Sequence, residues 1–186
     1  MEESRGERRR DAVFGGGCFW CLEAVFADVI GVEAVESGYC GGSLAKPSYE
    51  QICDGGSGHA EVVRVVFDPE VVSYRSLLEI FFTIHDPTTR NRQGNDIGTQ
   101  YRSVIFAQDE AQMAEARAFI EELGELRAFP SAIVTELKGA ERFWPAEAEH
   151  QNYFASHAYQ PYCQYVVAPK LVKFREKFHK LRKPGR

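Results

Sequence analysis

Residues 15–21 read GGGCFWC: three glycines run into Cys18, two large aromatics follow, and Cys21 closes the run. A short strand candidate, DAVF at 11–14, precedes them, and Phe19, Leu22, Val25 and Phe26 recur behind at helical spacing. The pattern predicts a helix over 18–28 whose first turn carries Cys18. Unpaired N–H groups and the positive end of the helix dipole favour a thiolate there, and glycines let a ligand approach the backbone. In such a place a cysteine pKa falls from about 8.5 toward neutrality. The competing reading is a buried structural cysteine on an apolar helix face. Neighbouring helical side chains point about 100° apart. Phe19 and Trp20 therefore cannot both share the face of Leu22 and Phe26; either they flank the cysteine and line a cleft, or they are ordinary core aromatics.

The elements that must position this sulfur alternate at short spacing. VEAVESGY (32–39) and AEVVRVVFD (60–68) read as strands, and Pro69 stops the second. Ser73 can cap a helix through YRSLLEIFFTIH, where Leu77, Leu78, Phe81, Phe82 and Ile84 make one apolar face. A polar loop, 86–100, has a length that marks function or disorder. Residues 101–107 read as a strand, 109–123 as a helix, 131–137 as a strand, 147–157 as a helix and 169–183 as a basic amphipathic helix. The first six elements run βαββαβ. The expected fold is α+β: a two-layer α/β sandwich with a ferredoxin-like core, helices on one face of a mixed sheet and additional C-terminal elements. A disordered tail over 1–10 and a single catalytic domain over 11–186 are expected.

Composition excludes several classes. The 186 residues carry a net charge of −5, which does not advertise nucleic-acid binding. No apolar run approaches a membrane span, and MEESRGERRR lacks the apolar core of a secretory signal. The cytoplasm is the expected compartment and a monomer the expected state. The five cysteines, at 18, 21, 40, 53 and 163, are odd in number, which argues against a disulfide framework.

Four segments in order, GGGCFWCLEAVF, GHAEVVRVVFDP, HDPTTRNRQGNDIGTQYRS and HQNY, resemble the peptide methionine sulfoxide reductase A family over roughly residues 11–175. The resemblance implies a two-layer sandwich and reduction of the S-epimer of methionine sulfoxide, free or in proteins. That lesion is polar, chiral and reversible by an enzyme specific for each epimer. By the same resemblance Cys18 is the nucleophile that takes the oxygen and becomes a sulfenic acid, and Phe19 and Trp20 wall the methyl pocket. Glu61 is the proton donor, which requires a raised pKa. Tyr49 and Tyr101 donate to the sulfoxide oxygen, with Asp96 in the same set. His59 is read as structural.

A second thiol must resolve the sulfenic acid. The resemblance points to Cys163 in QPYCQ, although proline stands where the family has glycine and no further recycling cysteine follows. Cys21 stands where the family's GCFWG has glycine. Three residues along a helix, its Cβ lies about 5–6 Å from that of Cys18, so it is an alternative resolver or a relay to Cys163. Cys40 and Cys53 are expected to be bystanders. The implied reductant is thioredoxin, and no cofactor is expected, because no dinucleotide fingerprint follows a strand. Three other classes compete. CFWC has the spacing of a thiol–disulfide exchange enzyme. Cys18, Cys21, Cys40 and Cys53 number enough for zinc but are not two close pairs; no metal is expected. The basic helix could bind nucleic acid, though a solvated helix docked by Leu171, Val172, Phe174 and Phe178 explains it more simply, and no nucleic-acid partner is expected.

Overall fold

The computed structural model describes residues 8–185. Most of the expected disordered tail, residues 1–7, lies outside that range. Within it, Arg8 pairs with Glu70 and Arg10 already opens the first strand.

The chain runs β1 (Arg10–Gly15), α1 (Phe19–Phe26), β2 (Val32–Cys40), α2 (Tyr49–Cys53), β3 (Ala60–Phe67) and α3 (Tyr74–Ile84). A hairpin of β4 (Arg92–Gln93) and β5 (Asp96–Ile97) and a 3-10 turn (Thr99–Tyr101) lead to β6 (Val104–Ala107) and α4 (Glu110–Glu125). There follow β7 (Glu136–Gly139), β8 (Trp144–Pro145), a 3-10 turn (Ala148–His150), α5 (Tyr153–His157), a π turn (Cys163–Val167) and α6 (Ala168–Lys177). The main sheet has the order β7-β6-β1-β3-β2-β8. Its centre, β6-β1-β3-β2, is antiparallel throughout, and the parallel β6–β7 pair makes the sheet mixed. The α+β, ferredoxin-like expectation holds.

Alternation along the strands makes two cores. Phe14, Val63, Val65, Phe67 and Ile105 face the helices and pack with Leu22, Val25, Phe26, Leu77 and Phe81. Val13, Val62, Val104 and Phe106 face the other way, against Phe143. Phe14 stacks between Phe26 and Phe81 at 5.4 and 4.9 Å, a packing whose loss in Phe14→Ala would cost about 3–5 kcal/mol. Residue 61 belongs to the stripe of 63, 65 and 67. Its carboxyl therefore enters the helix side of the sheet, opposite Tyr39 in the register.

The C-terminal half differs from the expectation in its bounds. The predicted strand 131–137 shrinks to four residues, because Val134 and Thr135 spend their polar groups on Pro87 and Ser103 instead of a ladder. The helix 147–157 is broken by Asn152, whose φ of 52° cannot continue a helix. The long loop holds the β4–β5 hairpin and a 3-10 turn, so the strand expected from 101 begins at 104. Leu171 and Phe174 dock α6 while Val172 faces solvent, so the expected docking face was one residue too wide. Among the described residues no helix is long and apolar enough to cross a membrane.

Candidate active site

The glycine triplet is short-range geometry made compulsory. Gly17 has φ +91°, and a Cβ on Gly16 would lie 2.9 Å from Phe81 and His85. The chain can thus turn sharply off β1 and present Cys18 as the N-cap of α1, with extended backbone at φ −63°, ψ 129° and no side-chain capping bond. Cys18 is 8% exposed.

The first free helix donor does not go to the sulfur. The Phe19 N–H donates to Glu61 Oε1 at 3.2 Å. Glu61 is 1% exposed, and burial pushes its pKa up to about 8, with Asp96 and Cys21 adding to the rise against that single backbone donor. The carboxyl is therefore largely protonated at neutral pH, as a proton donor must be. The expected depression of the Cys18 pKa is not found. Burial raises the thiol well above its usual value, a contact with Cys21 and the nearby Glu61 add to this, and the Trp20 backbone N–H opposes it too weakly. Cys21 moves the other way. The Cys18 contact lowers its pKa against the opposing effect of burial, and the Lys170 charge and the Tyr162 hydroxyl help. Of the pair, Cys21 is the more readily ionised thiol and Cys18 the less.

Tyr49 and Tyr101 converge on the same charges. Burial raises both phenols, and both feel Glu61 and Cys18. Asp96, in β5, accepts from the Tyr162 hydroxyl at 2.6 Å and also bears on Glu61 and Tyr101. Cys163 is 0% exposed in the π turn and shares one core cluster with Cys18 and Cys21. Burial raises its thiol, with the charge of Cys21 next. Cys18, Cys21, Glu61, Tyr49, Tyr101, Asp96 and Cys163 thus bear on one another in one neighbourhood around the start of α1. Phe19 is fully buried against Tyr39 and His150, at 5.7 and 5.6 Å, while Trp20 keeps some exposure.

Sequence reasoning passed over several aromatic neighbours. Trp20 stacks on Tyr153 at 3.7 Å and 6°, with His150 at 5.8 Å and Tyr162 edge-on. His150 also lies 4.5 Å from the ring of Tyr49. His150 and Tyr153 are the first and last letters of HQNY, and Tyr162 adjoins Cys163, so the motifs held them without giving them roles. Glu147 fixes this corner, accepting from the Tyr49 N–H at 3.2 Å and the Tyr39 hydroxyl at 3.4 Å.

Other residues separate from the site. Cys40 belongs to the opposite face of the sheet, and Cys53 is exposed. The four-cysteine zinc set therefore does not form. Among the described residues the one group with ligand spacing is Glu147, Glu149 and His150, which contains no cysteine. His59 accepts from the Gly42 N–H at Nδ1 and donates to Leu44 O from Nε2, at 3.0 and 2.7 Å, which ties down a loop as expected of a structural histidine.

A buried thiol pair at a helix start, beside a carboxyl held protonated by burial and ringed by aromatic side chains, defines a thiol-dependent oxidoreductase rather than a thiolate exposed for protein disulfide exchange. Comparison with known proteins gives the particular family. The profile described as "Peptide methionine sulfoxide reductase" matches residues 10–182. The chain is 56% identical to the peptide methionine sulfoxide reductase MsrA of Ralstonia nicotianae, across 97% of this chain and 99% of that one. It is 58% identical to that of Nautilia profundicola, across 88% and 92%. Among solved structures it is similar to methionine sulfoxide reductase A of Corynebacterium diphtheriae, with a TM-score of 0.77, 36% identity and 83% and 78% covered. Reduced Mxr1 of Saccharomyces cerevisiae gives 0.76, 32%, and 84% and 90%. A further structure, of Mxr1 in complex with Trx2, matches with a TM-score of 0.54 and 25% identity over 79% of this chain and 86% of that one. The chain belongs to the peptide methionine sulfoxide reductase family, and it is an oxidoreductase that reduces methionine sulfoxide.

Proposed function

We propose that the catalytic set is Cys18, Glu61, Tyr49, Tyr101 and Asp96, with Phe19 and Trp20 holding the S-methyl group, and that Cys21 and Cys163 resolve the product in sequence. The observation that carries the proposal is Glu61, buried, protonated and bonded to the residue next to the reactive sulfur. Glu61 and the two phenols donate to the sulfoxide oxygen, which makes its sulfur electrophilic. Cys18 attacks that sulfur and gives up its proton, which re-protonates Glu61 once the acid has protonated the oxygen. The oxygen moves to Cys18 with the proton from Glu61, leaving methionine and a sulfenic acid.

The neighbours favour Cys21 as the first resolver. Its backbone N–H bonds Cys18 O at 3.1 Å across the first turn, and its side chain touches Cys18. The thiol of Cys21 then attacks the sulfenic sulfur, forming a disulfide and releasing water. Cys163, whose nearest charge is Cys21, attacks Cys21 in turn, and Cys18 leaves as the restored thiol. A thioredoxin dithiol reduces the Cys21–Cys163 disulfide, as the Trx2 complex of a similar structure supports. The enzyme works as a monomer in the cytoplasm, with residues 11–186 as one catalytic unit.

The test is a single-turnover assay on the two sulfoxide epimers, followed by disulfide mapping. Wild type should consume the S-epimer and leave the R-epimer. Cys163→Ser should complete one turnover, accumulate a Cys18–Cys21 disulfide and lose thioredoxin-driven cycling. A Cys163→Ser enzyme that cycles at the wild-type rate removes Cys163 from the pathway, and a trapped Cys18–Cys163 disulfide in Cys21→Ser at undiminished rate removes Cys21.

A further inference from the structure

Asp96 and Tyr162, which bear on Glu61 and Cys21, also line a groove of about 740 Å³ between the β4–β5 hairpin, the end of α3 and the start of α6. Thr83 and Lys173 also line a second hollow of about 420 Å³ that includes Phe82, Phe119 and Phe129. The two hollows adjoin at Thr83 and Lys173. Along them α6 presents Lys170, Lys173 and Lys177, which fall on one face at helical spacing.

The charges along the two hollows are unequal in their commitments. Asp96 accepts from Tyr162, Asp86 accepts from the N–H and hydroxyl of Thr88, and Glu79 pairs with Arg75. Among the described residues none of the three lysines pairs with a carboxylate, in a chain whose net charge is −5. Tyr165, 79% exposed, and Val166 add apolar surface at the near end. Positions 170 to 177 span about 10 Å of helix, the reach of about three residues of extended chain.

We propose that this groove receives the polypeptide flanking an oxidised methionine and favours acidic segments there. The proposal rests on the catalytic reading above and names its substrate class: protein-bound methionine sulfoxide in an acidic context. The sulfoxide side chain enters the recess, and the flanking chain passes the Asp96–Tyr162 pair onto the lysine face.

The test measures kcat/KM with dithiothreitol as reductant, which removes thioredoxin from the assay. The substrates are free S-methionine sulfoxide and two peptide sets, with three Glu or three Lys on either side of the oxidised residue. Wild type should prefer the acidic peptides by about tenfold, the product of a few exposed charge pairs, and 0.5 M salt should shrink that preference. In a Lys173→Glu/Lys177→Glu variant the preference should vanish or reverse, while free methionine sulfoxide stays within about twofold of wild type. An acidic preference unchanged in the variant overturns the proposal. So does a variant whose only loss is thioredoxin-driven cycling, since the groove would then serve the reductant. Failure of wild type on free S-methionine sulfoxide would instead strike at the catalytic reading.

Discussion

Two buried glutamates flank α1, and their surroundings set them apart. Glu61 reaches the start of the helix from β3 and finds one donor, the Phe19 N–H at 3.2 Å. Glu23 sits on the helix itself, 4% exposed, and accepts from the Ser37 hydroxyl at 2.5 Å and from the Asn152 N–H. Burial raises the pKa of both, but only Glu61 has neighbouring anions, Asp96 and Cys21, adding to the rise, and it reaches about 8. The two donors on Glu23 oppose its rise. Deeper burial, fewer donors and nearby negative charge together set Glu61 apart. The cysteines repeat the lesson. Cys40, buried on the opposite face, is pushed up to about 12 by burial and the Glu141 charge, with the Gly41 N–H and Arg102 opposing too weakly. Cys21, equally buried, is lowered because Cys18, Tyr162 and Lys170 surround it.

The contrast is sharpest where substitution removes chemistry without removing structure. Cys18→Ser should abolish sulfoxide reduction, by at least about a thousandfold, because a hydroxyl is a far weaker nucleophile than a thiolate; thermal melting should stay close to wild type. Glu61→Gln should slow the first turnover by about 10²–10⁴. Wild-type single-turnover rate should fall as pH rises through about 8, where the acid loses its proton, and that limb should disappear in the variant. Stability runs in the same direction as activity. A carboxyl whose folded pKa lies above its unfolded value stabilises most below the unfolded value, about 4.3, and loses that contribution as pH climbs through about 8. Glu61→Gln should therefore melt higher than wild type at pH 8.5. A lower melting temperature there would show that Glu61 is a structural acceptor like Glu23, and the comparison would fail.

His85 supplies a buried group of the structural kind. Its ring bonds Phe81 O and Ser103 Oγ, at 2.5 and 2.7 Å, and burial lowers its pKa to about 4. Neutral in the folded state, it lets the protein keep its full stability above about pH 6.5. As pH falls from there toward 4 the unfolded chain binds the proton more tightly, and up to about 3 kcal/mol is lost. Glu61 gains stability over the same window, so urea melts at pH 7 and pH 4.5 in a Glu61→Gln background should show the loss, and adding His85→Gln should narrow the gap between them.

How far these roles could be read from the chain depends on the range of the interaction. The sequence of α1, β2, β3 and α3 carries its own periodicity, and those elements appear within a residue or two of expectation. Cys18 was legible because glycines and a helix start are local signals. The raised Cys18 and lowered Cys21 were not, because they depend first on burial by the assembled core and on the contact between the two sulfurs, and then on Glu61 from β3, Lys170 from α6 and Tyr162 beyond α5. The same holds for the break at Asn152. HQNY lies in a helix-like pattern, yet Glu23 and Ser37 accept and donate across more than a hundred residues to hold it bent, and no local rule registers that.

Glu23 therefore offers the smallest effect and the finest test of the comparison. Its two bonds, with those of Gln151 to Ser37 at 2.9 Å each, fix the turn that lays Tyr153 on Trp20. Glu23→Ala should leave Ser37 and Asn152 without partners in a buried place and lower stability by about 2 kcal/mol. Its effect on rate should come through the recess: KM for sulfoxide should rise a few fold while kcat changes little, and the near-ultraviolet circular dichroism of the Trp20–Tyr153 stack should weaken. Glu23→Gln keeps an acceptor for Asn152 and should restore most of the stability and the stack. Glu61→Gln, by contrast, should keep the stack and KM while losing kcat. If Gln fails at position 23 as it fails at 61, and the loss falls on kcat with a pH limb of its own, then Glu23 handles a proton as well, and the number of donors around a buried carboxyl is not what separates the two.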